Sequence, residues 1–173
     1  VKIKFLNSPD PIYIRGDRTQ LEQMILNLLI NARDALEGHD SAKITMRCEI
    51  AYDSLPGWEH AAEELCASNY CCIRVKDNGS GIPEDVMGKV FEPFFTTKKE
   101  GEGTGMGLSV VHGIIKSLKG SIIVNSAMGE GTVFTIALPL IEEGADEDIQ
   151  IDELQTLAEG NENILVVDDD ADV

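Results

Sequence analysis

The chain has no run of about 18 consecutive apolar residues, so nothing in it reads as a membrane-spanning helix. Its start, VKIKFLNSPD, lacks the apolar core and small-residue cleavage site of a secretory leader. It also lacks an initiator Met, and the chain is expected to be a fragment of a longer protein. Metal-type cysteine spacing is missing: Cys48, Cys66, Cys71 and Cys72 contain no C-x-x-C, and no nearby His completes a zinc set. These four are expected to be reduced thiols in a cytoplasmic protein, with Cys71 and Cys72 on opposite faces of a strand. Basic residues are scarce, 14 against 31 acids, for a net charge of −17. That balance argues against a nucleic-acid partner. It is also uneven. Glu142 to Val173 carries 13 acids and no Lys or Arg, which leaves the body near −4. An anion bound by that body would need a metal ion, backbone amides and a few local cations.

What is present suffices for one domain and a little more: 173 residues, 43% of them hydrophobic. VKIKFL and PIYIR alternate like short strands. GDRTQLEQMILNLLINARDALEG reads as a helix, with Asp17 as N-cap, Gln20 three residues on, and Gly38 as the stop. SAKITMRCEIAY and YCCIRVKD read as strands. Between them, DSLPGWEHAAEELCASN is too long for a tight hairpin and is expected to hold a helical turn around Glu59 to Cys66. MGLSVVHGIIKSLKG reads as a second helix ending at Gly120, and SIIVNSAMGEGTVFTIALP as a hairpin turned at Met128 to Gly131. Pro139 closes the body, and the segment from Ile141 onward is expected to lie outside it.

Three stretches carry chemistry. On the first helix, Leu21, Met24, Ile25, Leu28, Leu29, Ala32, Ala35 and Leu36 make a core-facing stripe. Asn27 and Asn31, four apart, stack on another side, with Gln23 and Asp34 near them. Two stacked amides are either a solvated polar face or oxygen ligands for a hard cation. In VKDNGSGIP, a strand ends at Asp77 and two glycines follow. Asp77 is either the head of an Asx-turn or an acceptor for an amino group such as that of adenine. In FEPFFTTKKEGEGTGMGLSVVHGII, Gly101, Gly103, Gly105 and Gly107 alternate after Lys98 and Lys99 and before an apolar run. Such a loop brings bare backbone close to a ligand and feeds a helix N-terminus suited to phosphates. It has neither the G-x-x-x-x-G-K-[ST] of a P-loop nor the phase of G-x-G-x-x-G.

In this order the pieces resemble the catalytic and ATP-binding domain of two-component sensor histidine kinases, within the gyrase, chaperone and histidine-kinase ATPase superfamily. NLLINARDA resembles the N box, DNGSGIP the first glycine box, FEPFFTTK the F box, GTGMGLSVV the second glycine box, and GEGTVFTIALP the closing glycine-threonine strand. The likeness runs from Pro11 to about Leu140. It implies an α+β fold of the Bergerat type: a two-layer sandwich of a mixed, mostly antiparallel sheet with helices on one face and a glycine-rich ATP lid.

The resemblance further implies roles. Asn31 would bind Mg²⁺, with Asn27 beside the phosphates. Asp77 would accept from the adenine amine, helped by Thr132 through water, and Gly79 and Gly81 would shape the base pocket. Gly103, Gly105 and Gly107 would form the lid hinge and phosphate cradle, Lys98 would neutralise phosphate, and Phe94 and Phe95 would pack the lid's root. Arg33 and Asp34 would flank the metal. The family's phosphoacceptor motif is absent: none of His39, His60 and His112 begins a His-Glu motif, and His112 is expected on a packed helix face. The acceptor would sit on a dimerisation domain of the same protein, a homodimer in full.

Two departures stand out. Met106 takes a place where the family usually has Leu, a volume-conserving change. The insertion from Asp53 to Asn69 is unusual, and its Trp58 reads as a docking anchor or a local core plug. Downstream, NILVVDDDADV resembles the first strand and acidic pocket of a receiver domain, with Asp168 and Asp169 as its Mg²⁺ pair. The expected layout is therefore a catalytic domain over 1–140, an acidic linker over 141–161 and a truncated receiver over 162–173, in a hybrid kinase working with a receiver domain or response regulator. Gyrase-type relatives hydrolyse ATP with a glutamate one turn before the metal Asn; here that position is Asn27, which offers no base for water. The rival readings are such an ATPase, a serine kinase antagonising sigma factors, and a nucleotide-free interaction module.

Overall fold

The computed structural model describes residues 1–52, 69–98 and 103–141. The expectations for Glu59 to Cys66, Trp58, His60, Lys99, Gly101, the acidic linker and the receiver strand lie outside these residues.

The first long helix, α1 (Arg18–Ala35), starts where its cap dictates. Asp17 is extended, and its Oδ1 accepts from the Gln20 backbone N–H at 2.9 Å. Such a cap stabilises a helix by about 0.5–2 kcal/mol. The helix ends at Leu36, two residues before Gly38, whose φ is +76°. Met24, Leu28, Ala32 and Leu36 of the expected stripe are buried, flanked by partly buried Leu21, Ile25 and Leu29.

Strands β1 (Lys2–Asn7), β2 (Lys43–Tyr52) and β3 (Asn69–Asp77) precede a short helix, α2 (Glu84–Met87). Helix α3 (Gly107–Ser117) and strands β4 (Ser121–Ala127) and β5 (Gly131–Pro139) complete the described fold. The sheet order is β1-β2-β3-β5-β4. β1 pairs parallel with β2, across the α1 crossover, and every other pairing is antiparallel. β4 and β5 form the expected hairpin, with Ala127 opposite Gly131.

PIYIR does not form the expected strand. Only Ile14 bridges Leu140, and the Ile141 N–H donates to the Tyr13 carbonyl at 3.0 Å. Ile12 and Ile14 nevertheless pack on the core, so the alternation marked a buried side and not a ladder.

Helix α3 ends in a Schellman closure. The Gly120 N–H reaches the Ile115 carbonyl at 2.8 Å and the Lys119 N–H reaches that of Lys116 at 3.0 Å. The left-handed residue is Lys119 (φ 55°), one position before the glycine expected to stop the helix.

The core lies between the two long helices and one sheet face. Met24, Leu28, Val111 and Ile115 meet Ile44, Cys71, Ile73, Val75, Phe134, Ile136 and Leu138. Truncating a fully buried member such as Leu28 to Ala costs about 2–5 kcal/mol. This is the expected two-layer α+β sandwich with a mixed, mostly antiparallel sheet. Cys71 belongs to this core and Cys72, equally buried, does not, as their alternation along β3 requires.

Candidate functional site

A cavity of about 720 Å³ opens between α1, the ends of β3 and β5, the 91–98 segment and the start of α3. Asn27, Asn31, Asp77, Gly81, Lys98, Gly103, Gly105, Gly107 and Thr132 all line it. Gly79, expected to shape the base pocket, does not line it. A Cβ on Gly79 would lie 2.4 Å from the Ala35 carbonyl oxygen, and the Ser80 N–H donates to that oxygen at 3.0 Å. Gly79 therefore lets the turn after β3 close onto the end of α1 and shapes the cavity from behind.

Asp77 is buried at 3% exposure where β3 ends. Its Oδ1 accepts from the Gly79 N–H at 2.8 Å and the Thr132 N–H at 3.1 Å. The first of these is the Asx-turn. Both bonds use one oxygen, so Oδ2 keeps its lone pairs on a residue that lines the cavity. The two readings of Asp77 thus call on different atoms and do not exclude one another. Thr132 contributes its backbone to Asp77, while its hydroxyl shares a 2.9 Å hydrogen bond with that of Ser126. Ser126 also donates to the Gly131 carbonyl at 2.9 Å and accepts from the Ile82 N–H at 2.8 Å. It fastens the turn after β3 to the β4–β5 hairpin. Sequence reasoning missed it, because nothing in SIIVNSA separates it from any other strand hydroxyl.

At the other end, Asn27 joins the helices. Its Nδ2 donates to the Gly107 carbonyl at 3.3 Å and its Oδ1 accepts from Gln23 at 3.0 Å. Asn31, one turn on, holds a buried Nδ2 with no partner among the described residues. A buried, unsatisfied amide facing a cavity is costly unless something entering the cavity pairs with it. An amide can turn over, so this position offers a donor or an oxygen.

Lys98 reaches across to α1, where its Nζ meets Asp34 Oδ2 at 2.5 Å. Arg33 holds the other oxygen, Oδ1, at 2.7 Å. Burial pushes the Asp34 carboxyl up, but the hydrogen bonds from Lys98 and Arg33 outweigh it and hold the group below its ordinary value. The contact spans 64 residues and had no signal in the sequence.

Among the described glycines of the loop, Gly105 alone takes left-handed backbone. Gly105 has φ +65°, and a Cβ there would stand 2.4 Å from the Phe94 carbonyl carbon. Phe94 also has positive φ (66°), and its ring is 75% exposed. The expectation that both phenylalanines pack the lid's root is corrected: Phe95 lines the cavity, while Phe94 packs only through its backbone. Helix α3 then begins at Gly107 with no side-chain cap and no acid in its first turn. Its first N–H groups are left for an anion. His112 stacks on Phe91 with ring centres 5.4 Å apart, as a packed histidine would.

Residues 16–142 match the family model for histidine kinase-, DNA gyrase B- and HSP90-like ATPases. The chain belongs to this family. It is 39% identical over 180 residues to the sensor kinase CckA of Brucella abortus, across 98% of this chain and 18% of that protein. It is 44% identical over 128 residues to the two-component sensor PprA of Pseudomonas aeruginosa, across 73% of this chain and 12% of that protein. The chain thus spans less than a fifth of these relatives. The solved catalytic domain of histidine kinase ThkA superposes with a TM-score of 0.59 at 30% identity, covering 79% of this chain and 77% of that one. A mycobacterial sensor histidine kinase, MprB, gives 0.59 at 27% identity, with coverages of 80% and 82%. The fold of this chain is that of these histidine-kinase catalytic domains.

Proposed function

We propose that this domain binds ATP with Mg²⁺ and presents the γ-phosphate to a histidine on a dimerisation domain of the same protein. The adenine amine would donate to Asp77 Oδ2, and the triphosphate would lie along the start of α3 under the Gly103 to Gly107 loop. Asn31 suits Mg²⁺: one amide oxygen, completed by phosphate oxygens and water, is a normal set for that ion. When bound, the ion would neutralise charge on the phosphates.

The observation that carries transfer over hydrolysis is the environment of Asn27. The position from which gyrase-type relatives present a glutamate is an amide tied to Gln23 and Gly107. Of the two carboxylates lining the cavity, Asp34 is held by Lys98 and Arg33, and Asp77 keeps only Oδ2 free, the atom the adenine amine would take. The cavity lining holds no glutamate or histidine to activate water. What remains is positioning and charge neutralisation, which suffices when the nucleophile arrives on a partner. Exposed Leu26, Met106 and Val110 lie within three residues of the Asn27–Gly107 contact and offer that partner an apolar surface.

The proposal extends to the layout: a catalytic domain over 1–140, an acidic linker over 141–161 and the start of a receiver over 162–173. Its support is the hydrophobic-then-acidic NILVVDDD and a CckA likeness that continues beyond residue 142, where the family match stops. A receiver or response regulator would take the phosphate next, in the cytoplasm.

The test is incubation with γ-labelled ATP. The chain alone should bind ATP and stay unlabelled, and a histidine-bearing dimerisation domain added in trans should become labelled. Acid-labile phosphate on the chain itself would overturn the reading.

A further inference from the structure

Cys48 on β2 and Cys71 on β3 have no part in the ATP site. In the antiparallel register Cys48 stands opposite Ile73 and Cys71 opposite Ile50, so the two are diagonal neighbours. Both side chains lie on the sheet face that carries the core, and their Sγ atoms are 3.6 Å apart. That is only about 1.5 Å more than a disulfide bond. Their surroundings differ. Cys71 is 2% exposed inside the core. Cys48 is half-buried and lines a cleft of about 470 Å³ with Leu6, Asn7, Pro9, Arg47 and Glu49. Cys72, next along β3, is turned to the other face.

We propose that Cys48 and Cys71 are a paired oxidation site, in which a hydroperoxide entering the cleft converts the two thiols reversibly to a disulfide. Cys48 is the reachable member. The two thiols share one hydrogen bond, which holds Cys48 down at about 7 and pushes Cys71 up. A lowered Cys48 holds more thiolate than an ordinary cysteine, and thiolate is the nucleophilic form. Its sulfur attacks the outer peroxide oxygen. The O–O bond breaks, an S–O bond forms, and the released oxygen leaves as water or alcohol once protonated. Cys71 then gives up its proton and attacks the sulfenic sulfur. The S–S bond forms as the S–O bond breaks and water departs. The two sulfurs together lose two electrons and the peroxide gains them. Closing the last 1.5 Å requires the diagonal pair to shift, and a disulfide formed against the sheet's preferred spacing is readily reduced again.

The test uses the whole chain. It is treated with hydrogen peroxide, unfolded in N-ethylmaleimide to block remaining thiols, digested and read by mass spectrometry. The expected product has lost two hydrogens, joins the Cys48 and Cys71 peptides, and returns to dithiol with dithiothreitol. In Cys71→Ser, dimedone should trap Cys48 as the sulfenic acid. In Cys48→Ser, Cys71 should stay reduced. The unsubstituted chain decides first, so a poorly folding variant does not protect the proposal. Both thiols blocked after a dose that oxidises glutathione, or Cys48 bonded to Cys66, Cys72 or a second chain, would overturn it.

Discussion

Asp77→Asn changes one atom and should change which base the site accepts. In the structure Oδ1 takes two backbone N–H bonds, from Gly79 at 2.8 Å and Thr132 at 3.1 Å. An asparagine there must keep its oxygen on those two donors, because turning over would set an NH₂ against both N–H groups. Its Nδ2 then occupies the place of Oδ2 and meets the adenine amine donor to donor. The loss is that of a hydrogen bond to a charged group, about 1.5–3 kcal/mol. ATP affinity should fall by about 10- to 150-fold. The fold should hold, since both backbone bonds survive. The same NH₂ now suits a carbonyl, so inosine triphosphate should lose far less affinity than ATP, or gain. Calorimetry of both nucleotides on both proteins, with Mg²⁺ present, reads the ratio directly. An unchanged ATP affinity would refute the role of Asp77. Equal losses for both nucleotides would refute the argument from oxygen assignment and point to general damage.

Other substitutions separate the remaining parts of the site. Gly105→Ala forces a Cβ to within 2.4 Å of the Phe94 carbonyl at φ +65°; left-handed backbone alone costs about 1–2 kcal/mol, so the melting temperature should fall by about 2–8 °C, and any part of the strain the loop sheds by moving should reappear as weaker ATP binding. Asn31→Ala removes a buried donor that has no partner, so chemical denaturation should show a stability change within about 1 kcal/mol, while titrations with and without Mg²⁺ should converge. Asp34→Asn releases Lys98 from a partly exposed ion pair worth about 0.2–1 kcal/mol; ATP affinity should rise about 1.4- to 5-fold, and the gain should shrink in high salt. A fall in affinity would mean that the nucleotide uses Asp34 itself.

The sequence carried the parts of the site that depend on residue type at fixed spacing. Asn27 and Asn31 had to share a helix face, and Asp77 had to end a strand before glycines. The alternating glycines marked a stretch of bare backbone, which at Gly105 lies against the Phe94 backbone. What it could not carry were contacts between distant segments whose chemistry is common. Ser126 is one of several strand hydroxyls until the β4–β5 hairpin brings it to Ile82 and Thr132. Asp34 and Lys98 are ordinary charges until the 91–98 segment crosses α1. PIYIR shows a related limit: alternation reports that one side is buried, yet a strand also needs a free sheet edge beside it. Phe94 was assigned to the right neighbourhood and the wrong surface, because a motif does not say which of two adjacent rings turns inward.

The floor of the cavity joins β3 to β5, and those strands are far apart in the chain: Lys76 pairs with Val133, and Asp77 Oδ1 takes the Thr132 N–H one step further. Neither strand alone holds the Asp77 carboxylate as the cavity presents it. The loop between them must close before any reward is collected, and pairings of such long range form late and slowly. Nucleotide therefore has nothing to grip in a half-folded chain. It should leave the refolding rate nearly untouched and act instead as a brake on unfolding, lengthening the lifetime of the folded domain as its concentration rises.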